Sequence, residues 1–141
     1  LVGNMSARDG GRLKPHSTHQ SGRDVDLGYI QKWDGKEELN WRKMGSQNLD
    51  AAQTWVLLQT LVATGAVEVV FIDSKLQKLL FDYAREQGVS KERLATWLEY
   101  PRRPGTADGV LVQHVAGHDD HLHVRFSCPP SQSRCRSRSR K

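Results

Sequence analysis

The chain has 141 residues, 37% of them apolar, and a formal charge of +5. That length accommodates one domain with a real core and is too short for two ordinary ones, and no stretch approaches the roughly 20 apolar residues that a membrane span needs. Five of the 21 basic residues crowd into residues 134–141, RCRSRSRK, leaving 16 basic groups against 16 acidic ones in residues 1–133.

The positive charge therefore belongs to a tail and not to the body of the protein. Alternating Arg and Ser bury no apolar face, so residues 134–141 are expected to be a disordered basic tail behind a single domain at 1–133. Without interleaved aromatics for stacking, nucleic acid is not the expected partner. The chain opens abruptly on LVGNMSARDGG. That is not a signal-peptide pattern, so the expectation is either a cytoplasmic protein or a start that has been removed, and we favour a trimmed or partial start.

Residues 7–24 are rich in Gly, Ser, His and Asp and lead into 25–30, VDLGYI, which reads as a strand with one polar face. Residues 31–47 read as a loop, with Trp33 and Trp41 as anchors on the surface or a cleft rim. Asn48 is an N-cap type, and residues 49–63 are apolar around much of the helix circumference before Gly65, which predicts a buried central helix. The β-branched run 67–72 predicts a core strand. A second helix is expected over 74–87, with Leu76, Leu79, Leu80 and Tyr83 on one face and Gly88 as its stop. A third is expected from 90 to about 100, before Pro101, followed by the turn-rich stretch 101–108. Finally Leu122, Val124 and Phe126 alternate with His121, His123 and Arg125, which on a strand sends the two sets to opposite faces. The expected fold is α+β: a small antiparallel sheet carrying a zinc site, packed against about three helices.

All six histidines lie in two short windows, His16 and His19 in PHSTHQSGRDVDL and His114, His118, His121 and His123 in HVAGHDDHLHVRF, each with an aspartate pair. Imidazole and carboxylate are zinc ligands, and a catalytic zinc takes three protein ligands and leaves a position for water. A lone histidine on a sheet face is more often a satisfied polar residue than a ligand, but six gathered with aspartates argue otherwise. A closed structural zinc is usually cysteine-rich, and both cysteines lie outside the windows. The helical His-Glu-x-x-His signature is absent. Strand alternation puts His121 and His123 on one side, about 7 Å apart, so that one can bind the metal while the other attends its water. Asp24 and Asp26 share a face in the same way, and spacing does not choose between them. Cys128 and Cys135 are near enough in sequence for a small disulfide loop suited to an oxidising compartment, although two free thiols remain an alternative.

The segment from His19 to Asp26, HQSGRDVD, preceded by Gly-Gly and His16, together with 117–125, GHDDHLHVR, and the following Cys128-Pro, resembles the penicillin-insensitive murein endopeptidases. That family belongs to a zinc peptidase superfamily shared with lysostaphin, D-Ala-D-Ala metallopeptidases and the hedgehog domain, marked by a His, an Asp after six residues and a later His-x-His. The resemblance runs from Ser6 to Cys128 and is strongest in the two windows. The chain departs from the family pattern in its N-terminal segment and in its Arg/Ser tail, and keeps every motif residue.

The resemblance implies one zinc ion per chain on His19, Asp26 and His123, with His121 as catalytic base and His118 as a further active-site histidine. It implies His16 lining the site and a substrate in the peptidoglycan cross-link, cut between D-alanine and meso-diaminopimelate without a serine nucleophile. A periplasmic or otherwise extracytoplasmic location follows from that substrate. On chemical grounds His118 or His16 is the candidate oxyanion donor. Asp24, Asp119 or Asp120 would fix imidazole tautomers, and Arg23 and Arg125 are candidates to meet carboxylates of the peptide stem. Two rivals stand beside this reading: a D,D-carboxypeptidase acting on stem peptides, and a non-catalytic zinc-bound wall-recognition domain, which would need no base such as His121.

Overall fold

The computed structural model describes residues 1–33, 35, 40–107, 109–133 and 135. Along the chain come β1 (Asp24–Gly28), α1 (Ala51–Ala63), β2 (Val67–Phe71), α2 (Ser74–Glu86), α3 (Lys91–Trp97), β3 (Val112–Gln113) and β4 (His121–Phe126). The strands form one sheet in the order β1-β4-β2-β3. The expected antiparallel pairing holds for β1 with β4 and for β4 with β2, while β3 adds a short edge parallel to β2, so the α+β sheet is mixed. That edge was not read from the sequence, because two residues carry no periodicity.

One face of the sheet is the core. Leu122, Val124 and Val70 are fully buried there with Leu58 of α1, Leu76 and Leu80 of α2, and Leu94 of α3. Val25 and Leu27 pack against this cluster only partly buried. On the other face, the register sets Asp26 opposite His123, Asp24 opposite Arg125, and Gly28 opposite His121. Facing residues of an antiparallel pair share a side, so the aspartates of β1 and the histidines of β4 converge, and the absence of a side chain at Gly28 lets Leu1 pack against β1 there.

The helices differ from expectation at their ends. Helix α1 starts two residues later than predicted: the Asp50 carboxylate accepts the Gln53 N–H at 2.9 Å and is the N-cap. Asn48 instead accepts the Gly45 N–H and donates to the Lys43 carbonyl, while Leu49 pairs with Gln31. Two cap-type residues stood two apart, and tertiary pairing chose the second. Nor is α1 buried all round, since Thr54, Trp55 and Leu58 face inward and Val56 is 50% exposed.

Helix α2 follows the prediction closely, with Asp73 as N-cap and Gly88 just past its end at φ +81°, the left-handed conformation such a stop uses. Its buried line is Leu76, Gln77, Leu80 and Ala84, with Leu79 and Tyr83 on the margin. The buried Gln77 amide is satisfied by the Ile72 carbonyl and the Tyr100 N–H. Helix α3 ends at Trp97, earlier than predicted, because Leu98 turns extended to pair with Val112. No helix among the described residues is long and apolar enough to cross a membrane. The Arg/Ser tail expectation lies, apart from Cys135, outside the described residues, as do parts of the 31–47 and 101–108 loops.

Candidate active site

The polar face of β1 and β4 is roofed by the loop that precedes β1 and flanked by residues 1–5, which run beside β1. Gly3 donates to the Asp26 carbonyl at 2.7 Å, and Asp26 donates to the Asn4 carbonyl at 3.0 Å. Nothing in the sequence pattern marked this segment as part of the site.

The roof loop brings His19 down onto the sheet, where it is fully buried. His19 Nε2, His123 Nδ1 and Asp26 Oδ1 form a triangle with sides of 3.1, 3.2 and 3.2 Å. The protons on the two rings follow from their other nitrogens. His19 Nδ1 lies 2.8 Å from the Met5 carbonyl, which only accepts, so Nδ1 carries the hydrogen and, in the neutral ring, Nε2 has a bare lone pair. His123 Nε2 donates to Asp24 Oδ1 at 2.8 Å, which leaves Nδ1 bare in the neutral ring.

Asp26 Oδ1 is buried and accepts no hydrogen bond. With both rings neutral, three bare donor atoms point at one another in a buried place, an arrangement that repels itself unless something positive sits among them. A tetrahedral zinc with bonds of about 2.0–2.1 Å separates neighbouring ligands by about 3.3–3.4 Å, close to the sides of this triangle. The donor set therefore fits a divalent cation. The alternative occupant is a proton on His123. Burial pushes the His123 pKa down, but the hydrogen bond to Asp24 and the nearby Asp26 carboxylate outweigh it and raise it above the ordinary value.

Asp24 and Asp26 divide the labour that spacing left open. Asp26 enters the triangle. Asp24 stands behind it, accepting from His123 and from Arg125 Nε, the latter also at 2.8 Å. Burial pushes the Asp24 carboxyl up, yet these two hydrogen bonds hold it below the usual carboxylate range. Arg125 is thereby engaged within the protein. Arg23 is as well, donating to Cys128 Sγ and pairing with Glu68 at 3.3 Å. Both guanidiniums line a small pocket of about 180 Å³ with Ser17, Thr18, Gln20 and Ser21.

The remaining histidines lie around the triangle. His121 Nδ1 donates to Asp120 Oδ1 at 2.5 Å, which in the neutral ring leaves its Nε2, 3.7 Å from Asp26 Oδ1, with the lone pair. His118 Nδ1 donates to the Val115 carbonyl, and its ring lies 4.8 Å from that of His121, centroid to centroid. Burial and the neighbouring His121 and His123 lower its pKa, which keeps the ring neutral. The His118 carbonyl accepts both the Tyr29 hydroxyl and the Asp73 N–H, an anchoring role for Tyr29 that the strand prediction did not reveal.

His16 accepts from the Asn4 amide at Nε2, 2.8 Å away, so the proton sits on Nδ1, 3.9 Å from Asp26 Oδ2. His16, His19 and Asp26 also lie close enough together to hold a metal ion, but in this tautomer the facing nitrogen of His16 is a donor and not a ligand. Burial and His19 lower the His16 pKa.

Two residues of the windows serve elsewhere. His114 Nδ1 accepts the Ser74 N–H at the start of α2, and Asp119 pairs with Lys43 at 3.0 Å. Cys128 and Cys135 come to disulfide distance, Cα atoms 5.5 Å apart. Beside the triangle opens a cleft of about 420 Å³ lined by Gly3, Asn4, Pro15, His16, Asp26, Trp41, Asp120 and His121.

The family model described as penicillin-insensitive murein endopeptidase matches residues 1–141. A protein of that name from Yersinia enterocolitica is 25% identical over 141 residues, covering 96% of this chain and 47% of its own. Another from Pectobacterium atrosepticum is 28% identical over 152 residues, covering 99% of this chain and 48% of its own. The chain thus spans about half the length of the curated relatives it matches.

Proposed function

From the premise that the chain belongs to the penicillin-insensitive murein endopeptidase family, we propose that it is a zinc metallopeptidase hydrolysing the D-alanyl-meso-diaminopimelate cross-link of peptidoglycan outside the cytoplasm. The observation that carries the reading is the buried triangle of nitrogen and carboxylate atoms of His19, Asp26 and His123 with sides of 3.1–3.2 Å, and a carboxylate-backed imidazole beside it. His19, Asp26 and His123 would hold the ion. When bound there, zinc supplies Lewis acidity, lowering the pKa of water toward about 7 and polarising a carbonyl oxygen.

The chain's own groups do the rest. His121 Nε2 takes the proton of the attacking water and returns it to the leaving amine, while Asp120 holds the ring in the tautomer that makes this possible and favours its transient positive charge. Of the two candidate oxyanion donors, His16 is favoured, because it presents Nδ1–H whereas His118 spends its proton on the Val115 carbonyl. His118 packs against His121 and keeps its orientation. Asp24 fixes the His123 tautomer and is itself oriented by Arg125. The cleft beside His121 receives the peptide.

The test is digestion of purified cross-linked muropeptide dimers by zinc-loaded protein, read by mass spectrometry. Monomers with a free diaminopimelate amine are expected. Release of terminal D-alanine alone would convert the reading to a D,D-carboxypeptidase. No turnover by zinc-replete protein would leave a recognition domain.

A further inference from the structure

We infer that Trp41 is the surface on which the aliphatic part of the leaving amine lies, an inference that rests on the hydrolytic reading above. Trp41 is 45% exposed, yet it is held in place. The Asn40 carbonyl accepts from Gln31 at 2.7 Å, and on the other side Met44 donates to the Asp119 carbonyl at 2.7 Å, beside the Lys43–Asp119 ion pair. The indole lies over Gly3. A Cβ at that position would come within 3.0 Å of Trp41 Cη2 and 3.2 Å of the Asp26 Cβ, so the missing side chain is what lets the ring reach down to β1. One side of the indole thus rests on the protein, and Trp41 forms part of the cleft wall.

The cleft lining sets what the exposed part can meet. Asn4, His16, Asp26, Asp120 and His121 are polar, and Trp41 supplies its broad apolar wall. The position relative to His121 sets which half of the substrate meets it. The Trp41 and His121 rings stand 6.3 Å apart, nearly perpendicular at 79°. A base that returns its proton to the leaving amine must come within hydrogen-bond reach of that nitrogen. Carbons one or two bonds beyond the amine then fall within van der Waals reach of the indole. The leaving group so selected is an amine carried on an aliphatic chain, and an amine on bare glycine leaves the wall uncovered. Loss of one such apolar contact changes specificity by about 10-fold or more.

The experiment compares two synthetic substrates with the same D-alanyl donor, one releasing the side-chain amine of diaminopimelate and one releasing glycine, with zinc-loaded parent, Trp41→Ala and Trp41→Phe. The parent is expected to favour the diaminopimelate substrate by about 10-fold in kcat/KM, mostly through KM. Trp41→Ala should lose that preference at unchanged zinc content, and Trp41→Phe should retain most of it. A second readout needs no turnover: the diaminopimelate tripeptide should bind metal-free Trp41→Ala about 10-fold more weakly than metal-free parent by calorimetry. Dimer cleavage with the preference intact in Trp41→Ala, or an unchanged dissociation constant, overturns the assignment. If the parent cleaves neither substrate while tripeptide binding still depends on Trp41, the hydrolytic reading falls and the contact stands.

Discussion

The two halves of the site are built differently. His19, Asp26 and His123 are at most 5% exposed, and both imidazoles are fixed by a protein acceptor on the nitrogen that faces away from the triangle. His16 and His121 stand at the cleft rim with about a fifth of their side-chain surface open, each hydrogen-bonded to one neighbouring side chain, Asn4 and Asp120. A metal is best served by ligands whose lone pairs are aimed before it arrives, because reorienting buried groups costs affinity. An acid–base group must meet solvent and substrate, so it cannot be sealed. The difference implies that damage to the buried half appears as lost metal, and damage to the rim as lost rate with metal retained.

The sharpest break of that comparison is His19→Ala. It removes the fully buried imidazole proposed as a ligand, and the protein should lose nearly all its zinc by elemental analysis and, with it, dimer cleavage. Stoichiometric zinc in this variant would overturn the ligand set. Next in size is His121→Ala, which should keep zinc at the parent level while lowering kcat on muropeptide dimers by about 10²–10⁴-fold, the usual contribution of a positioned acid–base group. A variant that cleaves at the parent rate would remove His121 from the mechanism.

The polar face that carries both halves was legible in the sequence, for a physical reason. Strand alternation is a local rule, so His121 and His123 opposite Leu122 and Val124 could be assigned to faces without knowing the fold. The choice of Asp26 over Asp24 was not legible from spacing, because both share a face. It depends on register, which sets Asp26 across from His123 and Asp24 across from Arg125. The support from Met5, Asn4 and Tyr29 was invisible for a related cause. Met5 acts through its backbone carbonyl, and Asn4 and Tyr29 through contacts 12 and 89 residues away in the chain. The window rule also overreached, since His114 and Asp119 belong to the α2 start and to the Lys43 loop. Helix existence was read correctly, and the ends shifted wherever a neighbouring strand pairing claimed Leu49 or Leu98.

A smaller effect tests the residue behind the buried half. Asp24→Asn preserves shape but removes the carboxylate that accepts from both His123 and Arg125. Zinc affinity is expected to fall by about 10–100-fold, the usual cost of losing a hydrogen-bond partner of a metal-bound histidine. The rate at saturating zinc should change much less than in His121→Ala. A competition titration against a chelator measures the first quantity and dimer turnover the second. If the rate falls while affinity stays, Asp24 belongs functionally with the rim and the two-part description fails.

The smallest expected effect on the site comes from the Cys128–Cys135 pair, and it sharpens the comparison by acting outside both halves. The residues are separated by 7 in sequence, so closing their loop in the unfolded chain is worth roughly 2–3 kcal/mol on the chain-entropy model. Cys128 also accepts from the buried guanidinium of Arg23, which precedes Asp24 in the chain. Replacing both cysteines by serine should therefore lower unfolding free energy in urea by about that amount. The triangle does not touch this loop: its three members are fixed by Met5, Asp24 and the β1–β4 register. Zinc affinity and kcat should stay within about a factor of two of the parent, well below the 10-fold step that a lost metal-site partner produces. A larger loss of affinity at full folding would mean that strain passes from the Cys128 end of β4 through Arg23 to Asp24, and the buried half would then have to be extended to include the loop.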